Sequence, residues 1–119
     1  MIHTIRAQAT PKQMAEMMET LDTYIKLAVD VRQEILAGGG TMHADCEAAL
    51  LKEGCAQVDI WGADWNPSIQ EVTYESLINI RPRQNNRKME IEDPELRQKI
   101  ERIVTKLLGG VEVGDIAGD

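Results

Sequence analysis

The 119-residue chain contains no phenylalanine, and it has only two tryptophans and two tyrosines. Its hydrophobic content of 43% is nevertheless ordinary for a globular domain. The core must therefore be built from aliphatic side chains and from the six methionines, whose flexible side chains fill irregular gaps. At this length we expect one domain, residues 1–108, followed by a loosely ordered acidic tail at residues 109–119.

Cysteine is also scarce, and so are recognisable motifs. Cys46 and Cys55 are not spaced as a CxxC pair, which argues against a disulfide framework or a zinc finger and favours two reduced thiols. The P-loop, GxGxxG, HExxH, EF-hand and GxSxG patterns are missing, so the corresponding nucleotide, zinc, calcium and hydrolase sites are not indicated. We predict no metal site, and the sequence identifies no cofactor.

Long apolar stretches are missing as well. No stretch reaches the roughly 18 residues that a membrane-spanning helix requires, and the first residues do not form a signal-peptide pattern. The formal net charge of −7 argues against broad binding to nucleic acid or to anionic membranes. These absences predict a soluble, cytoplasmic protein whose partners are neither nucleic acids in general nor membranes.

The hydrophobic pattern predicts an α+β domain with a mainly antiparallel sheet of four to five strands and three helices. Residues 25–31 alternate apolar and polar side chains, and with residues 35–37 they would form a hairpin that turns near residues 32–34. A helix over residues 24–37 is an alternative, because the same apolar residues partly fit a helical period. A turn is expected at residues 66–68. The other predicted strands cover residues 2–6, 56–61 and 72–80.

Capping sequences or glycines mark the ends of the predicted helices. The first helix is expected to begin after Thr10, in a capping box closed by Gln13. The second covers residues 43–52 and ends at Gly54. The third begins at residues 93–94, and its apolar face should pack on the sheet. That face consists of Leu96, Ile100, Ile103, Val104 and Leu107.

Positive charge is concentrated in one segment. Four of the 13 lysines and arginines lie between Asn79 and Lys88, which contains no Asp or Glu and leaves nine cations against 20 acids elsewhere. Guanidinium and amide groups bind phosphate and carboxylate oxygens, so this loop is a candidate anion site. Its candidate ligand-binding residues are Asn79, Arg81, Arg83, Gln84, Asn85 and Arg87, with Asn86 as a further amide donor. The alternative is internal pairing of the arginines with the acids that follow: Glu90, Glu92, Asp93 and Glu95.

A second cluster consists of His43 and Asp45, directly after a run of three glycines. A carboxylate beside an imidazole can orient it for proton transfer or for binding a metal, which makes the two residues candidate catalytic groups. Asp45 is also well suited to cap the helix that follows, and His43 to hydrogen-bond the loop. Cys46 lies three residues after His43, a spacing that is not diagnostic of a thiol–imidazole pair.

The two tryptophans, Trp61 and Trp65, form a third cluster. On an extended strand they would point the same way. Trp61 could then line the same pocket as the arginine loop and stack on a ligand, or both indoles could seal a dimer interface. Core packing is the alternative, since a chain without phenylalanine needs bulky side chains inside.

Three sequence elements are similar to those of a small microbial family known only as a domain of unknown function. They are HADCE at residues 43–47, DIWG at residues 59–62 and NIRPRQNNR at residues 79–87. The likeness spans about residues 2–108. It implies a stand-alone cytoplasmic domain and supplies no activity.

These observations favour a small binding protein that holds a phosphate- or carboxylate-bearing ligand or partner in the arginine loop. One alternative is an enzyme in which His43 and Asp45 form an acid–base pair while Arg81 and Arg83 hold an anionic substrate. Another is a homodimeric interaction module that is built around Trp61, Trp65 and an exposed strand edge.

Overall fold

A computed structural model describes residues 1–114 of the chain. The strands are β1 (His3–Ile5), β2 (Ile25–Asp30), β3 (Ile35–Gly38), β4 (Ile60–Asn66) and β5 (Glu71–Thr73). The helices are α1 (Pro11–Met18), α2 (His43–Lys52) and α3 (Pro94–Leu108). The strands form one antiparallel sheet in the order β1-β3-β2-β4-β5, which confirms the predicted α+β class. Within this described part, no helix is both long enough and apolar enough to cross a membrane.

Helices cover both faces of the sheet. On one face, α1 and α3 pack on the larger apolar core, to which β2 contributes Ile25, Leu27 and Val29. On the other face, α2 packs on a smaller core that includes Ala28 and Leu50. The strand residues alternate between the two cores, as the two-residue period of a strand requires. The predicted packing of the C-terminal helix on the sheet is confirmed.

The predicted capping sequences are present. Thr10 and Gln13 form the capping box of α1. The Asp93 side chain caps α3 by accepting a hydrogen bond from the Glu95 N–H group at 2.9 Å. Gly54 follows α2 with a φ of 92°, in the left-handed conformation that a glycine adopts without strain.

The hairpin between β2 and β3 is also confirmed. The two strands pair antiparallel on either side of a turn at residues 31–34. The fully buried Asp30 carboxylate stabilises this turn, because its Oδ1 accepts hydrogen bonds from the N–H groups of Arg32 and Gln33, each at 2.9 Å. The helical alternative for residues 24–37 is therefore wrong.

The strand predicted at residues 56–61 is largely wrong. Residues Gln57–Asp59 form a short 3-10 helix, and β4 begins at Ile60. It then continues to Asn66, where the predicted turn begins. The segment that contains the two tryptophans does form a strand, but this strand covers residues 60–66 rather than 56–61.

The strand predicted at residues 72–80 is wrong after Thr73. Ser76 Oγ accepts a hydrogen bond from the Ile78 N–H group at 3.2 Å and caps a 3-10 helix, Leu77–Asn79. The chain leaves the sheet at this point, so the apolar and polar side chains of this segment do not line two faces of a strand.

The segment after α3 contacts the domain as far as it is described. Val111 packs in the larger core, and the Gly110 N–H group donates to Gln70 Oε1 at 2.7 Å. The Gly114 N–H group donates to the Pro11 carbonyl at 2.8 Å. The rest of the predicted tail, residues 115–119, lies outside the described residues.

Candidate functional site

Side chains, rather than a strand, cover part of the outer edge of β4. β5 pairs with only the last three residues of β4, which leaves Ile60 and Gly62 without a strand partner on that side. The Asn79 side chain takes the place of a strand at Gly62, where its Oδ1 accepts from the N–H group at 2.8 Å and its Nδ2 donates to the carbonyl at 3.0 Å. The same Nδ2 lies 3.3 Å from the Tyr74 carbonyl and 3.1 Å from the Met89 carbonyl. Asn79 is fully buried, so its amide is committed to the fold.

Position 62 has room only for glycine, because the segment that contains Asn79 lies very close to β4 there. A Cβ atom at Gly62 would lie 2.5 Å from the Ser76 Cβ and 3.0 Å from a side-chain carbon of Ile78. Any larger residue would push the 3-10 helix away from the sheet and would separate Asn79 from its partners.

Arg81 covers the rest of this edge. The guanidinium group lies over the Trp61 ring, 4.6 Å from its centroid, and the Glu47 carboxylate approaches it to 3.5 Å. Burial lowers the pKa of Arg81, and the neighbouring Glu47 raises it. Arg81 also donates to three backbone carbonyls, those of Ile60, Gln57 (2.9 Å) and Ile78 (2.9 Å).

The predicted pairing with the acids that follow the loop is therefore wrong for Arg81, whose partner is Glu47 on α2. Glu90 pairs instead with Arg97 on α3 at 3.1 Å. Glu92 accepts a hydrogen bond from the backbone N–H group of Arg87 at 2.7 Å. Across residues 1–114, the exposed side chains of Arg83 and Arg87 form no ion pair.

The other amides of the loop also differ in role. Asn86 is buried and fixes the loop, because its Nδ2 donates to the Asn79 carbonyl at 2.8 Å and its Oδ1 accepts from the Glu92 N–H group at 2.8 Å. Asn85 is exposed and adopts a left-handed φ of 60°. The Gln84 side chain donates to the Val58 carbonyl at 3.0 Å. Of these amides, Asn85 alone is free to meet a ligand.

A cleft of about 560 Å³ opens between α2 and the arginine loop. We call it the Arg83 cleft. Its apolar lining includes Leu77 and Ile80, and its charged lining is Arg81, Arg83 and Glu47. Since Glu47 already pairs with Arg81, the cleft has one uncompensated positive charge, on Arg83. Its volume is typical of sites that bind small molecules. The complete lining is Glu47, Gln57, Leu77, Ile78, Ile80, Arg81, Pro82, Arg83 and Gln84.

His43, at the first position of α2, has a partner that the sequence did not suggest. Its Nε2 lies 2.8 Å from Asp64 Oδ1 and 3.1 Å from the Ala63 carbonyl oxygen, both on β4. Because both neighbours are acceptors, Nε2 carries the proton and donates to them. The predicted partner Asp45 instead accepts a hydrogen bond from the Met42 N–H group at 3.2 Å, which is a capping role.

A second cleft, of about 300 Å³, adjoins the first, and we call it the His43 cleft. Leu77 and Ile78 line both clefts. The charged and titratable side chains of this second lining are His43, Lys26 and Glu75. The remaining lining is mostly apolar and comes from Met42, Ala44, Ser76, Leu77, Ile78 and Met89.

Both tryptophans belong to the larger core. Trp65 is 1% exposed and Trp61 is 5% exposed, so neither indole face is available to a partner. The contribution of Trp61 to the candidate site is indirect, because its ring supports the Arg81 guanidinium. A dimer interface built on the two indoles is therefore excluded.

Both cysteines are free and buried. Burial raises the pKa of Cys46, whose Sγ donates to the Lys26 carbonyl. Burial and the neighbouring Asp30 raise the pKa of Cys55 to about 11. Neither thiol is thus prepared to act as a nucleophile with His43.

We expect both thiols to resist a disulfide reagent such as DTNB in the native protein at about pH 8, because they are buried and protonated. Unfolding in guanidinium should release two reactive thiols per chain. The release of thionitrobenzoate measures the number of reactive thiols before and after unfolding. Rapid labelling of the native protein would show that the thiols are not buried and protonated.

The fold and its two adjoining clefts define a small α+β domain whose candidate site lies where side chains complete a sheet edge. The chain belongs to the family described as "Protein of unknown function (DUF5674)", whose family model matches residues 3–107. This confirms the resemblance to a family of unknown function. Neither the curated proteins nor the solved structures contain a match to the chain.

Proposed function

We propose that this protein binds a small organic anion, in which a carboxylate or phosphate is joined to an apolar group, in the Arg83 cleft. One observation carries the proposal. Of the three charged side chains in the cleft lining, Arg83 is the one without an ionic partner among residues 1–114. A guanidinium group in this position can bind two oxygens of one carboxylate or phosphate in parallel.

The apolar side chains beside Arg83 support an amphiphilic ligand rather than a bare anion. Leu77 is 66% exposed and Ile80 is 44% exposed, although both are large aliphatic residues. Exposed apolar side chains that line a cleft are typical of ligand-binding sites. The apolar group of the ligand would cover them while its anionic group binds Arg83.

Replacing Arg83 with glutamine is expected to weaken binding by about 10- to 100-fold, since a hydrogen bond to a charged group contributes about 1.5–3 kcal/mol. The ligand is first identified by thermal unfolding in a panel of organic carboxylates and phosphates. At about 100 times its dissociation constant, a ligand stabilises the fold by about 2.7 kcal/mol. Isothermal titration calorimetry then gives the affinities of the wild type and the variant.

Arg87→Gln is the matched control. It removes the same charge from the same exposed loop, but Arg87 does not line the cleft. We expect its affinity to equal that of the wild type. If the two variants lost the same affinity, the loss would come from the change in net charge and not from a contact in the cleft. A wild type that is stabilised by no compound in the panel would refute the proposal.

A second copy of the chain is the alternative occupant, because a homodimer would cover Leu77 and Ile80 equally well. Light scattering across a concentration series separates the two cases. A monomer at every concentration favours the small anion, whereas a dimer that Leu77→Asp dissociates favours the homodimer.

A further inference from the structure

We propose that His43 and Asp64 form a general-base pair that hydrolyses short, uncharged carboxylic esters in the His43 cleft. The proposal is independent of anion binding at Arg83. It rests on the orientation of one imidazole, on the state of its second nitrogen and on the lining of the cleft beside it.

The imidazole is held in one tautomer. His43 Nε2 donates to Asp64 Oδ1 at 2.8 Å and to the Ala63 carbonyl at 3.1 Å, so the neutral ring has its lone pair on Nδ1. His43 is also well packed, with 12% of its side chain exposed. A carboxylate that fixes the tautomer and stabilises the imidazolium is the arrangement that makes a histidine an effective general base.

The Nδ1 atom remains accessible. Among residues 1–114 it makes no hydrogen bond, and it is not among the buried polar atoms that lack a partner, which are Asp30 Oδ2 and Trp65 Nε1. It therefore reaches solvent, and His43 lines a cleft of about 300 Å³.

The cleft lining suits an uncharged ester. Met42, Leu77 and Met89 provide apolar surface for an acyl chain, and the one cation of the lining, Lys26, is balanced by Glu75, so the cleft favours a ligand without charge. In the proposed reaction, Nδ1 removes a proton from water while the water oxygen adds to the ester carbonyl carbon. The carbon–oxygen bond to the alcohol then breaks, and the imidazolium returns the proton to the departing alkoxide. The products are one carboxylic acid and one alcohol.

The test uses the full chain with para-nitrophenyl acetate and para-nitrophenyl butyrate, and it follows the release of para-nitrophenolate. His43→Gln is expected to lower kcat by about 100-fold, the contribution that a positioned general base makes. His3→Gln is the matched control, because His3 also pairs with a carboxylate, Glu16 Oε1 at 3.1 Å, but lines neither cleft. Its kcat should equal that of the wild type.

Two further variants separate lost chemistry from lost structure. His43→Ala should regain activity when free imidazole is added, which a misfolded protein would not do. Asp64 is a positioning residue, so Asp64→Asn should lower kcat and leave KM unchanged. A wild type no faster than the same concentration of free imidazole, or a His43→Gln variant that retains the wild-type rate, would overturn the proposal.

Discussion

Asn79→Ala is expected to lower the free energy of unfolding by about 3–5 kcal/mol, the largest effect of any single polar substitution that we predict. The fully buried amide is the only partner of the Gly62 N–H and carbonyl groups at the outer edge of β4 within the described chain. Alanine would leave these two groups without a partner in a dry environment. Buried groups without partners lose the free energy of their hydration, which exceeds the value of an ordinary hydrogen bond.

Urea unfolding followed by circular dichroism measures this loss. The control is Asn85→Gly, a change of the same residue type in the same loop. Asn85 is exposed and has a φ of 60°, which glycine adopts readily, so its stability should stay within about 0.5 kcal/mol of the wild type. A stable Asn79→Ala protein would mean that water replaces the amide at the sheet edge.

Arg81→Gln is expected to lower the free energy of unfolding by about 2–3 kcal/mol. Glutamine is too short to reach all three carbonyl groups that the guanidinium binds, which belong to Gln57, Ile60 and Ile78. The change also leaves the Glu47 carboxylate, whose side chain is only 13% exposed, without an opposite charge beside it. In addition, it removes the cation that lies over the Trp61 ring.

The same unfolding measurement on Arg83→Gln provides the comparison. This variant loses the same charge two residues further along, but its side chain is exposed, so the stability should change little. If Arg81→Gln were as stable as the wild type and had lost ligand binding, Arg81 would belong to the ligand site rather than to the fold.

The sequence predicts well those helices and strands whose determining residues lie close together along the chain. α1 and α3 begin at capping sequences that lie within four residues of the helix start, and the hairpin is specified by alternation on either side of a turn. The prediction at residues 72–80 was wrong for the opposite reason. That segment alternates as a strand would, but in the fold the Asn79 side chain hydrogen-bonds the backbone of Gly62, 17 residues away, and no local pattern reveals such a contact.

The charge pattern singled out the arginine loop, but the partners of its side chains could not be assigned from the sequence. The cationic loop does line a cleft, although nothing in the sequence distinguishes the partly buried Arg81 from the exposed Arg83. Asp45 was the nearest carboxylate to His43 along the chain, and it caps the helix instead. The partner in the fold, Asp64, lies 21 residues away, and its position depends on the packing of α2 against β4.

The closure of β4 by side chains also bears on how the protein avoids aggregation. An uncovered strand edge is a template on which a strand of another molecule can add. Here the cover at Ile60 and Gly62 is a segment attached by two side chains, those of Asn79 and Arg81, and not by a continuous backbone ladder. Loss of these two side chains would uncover the edge of a strand that includes Trp61 and Trp65, so the residues that attach the segment also protect the protein from edge-to-edge association.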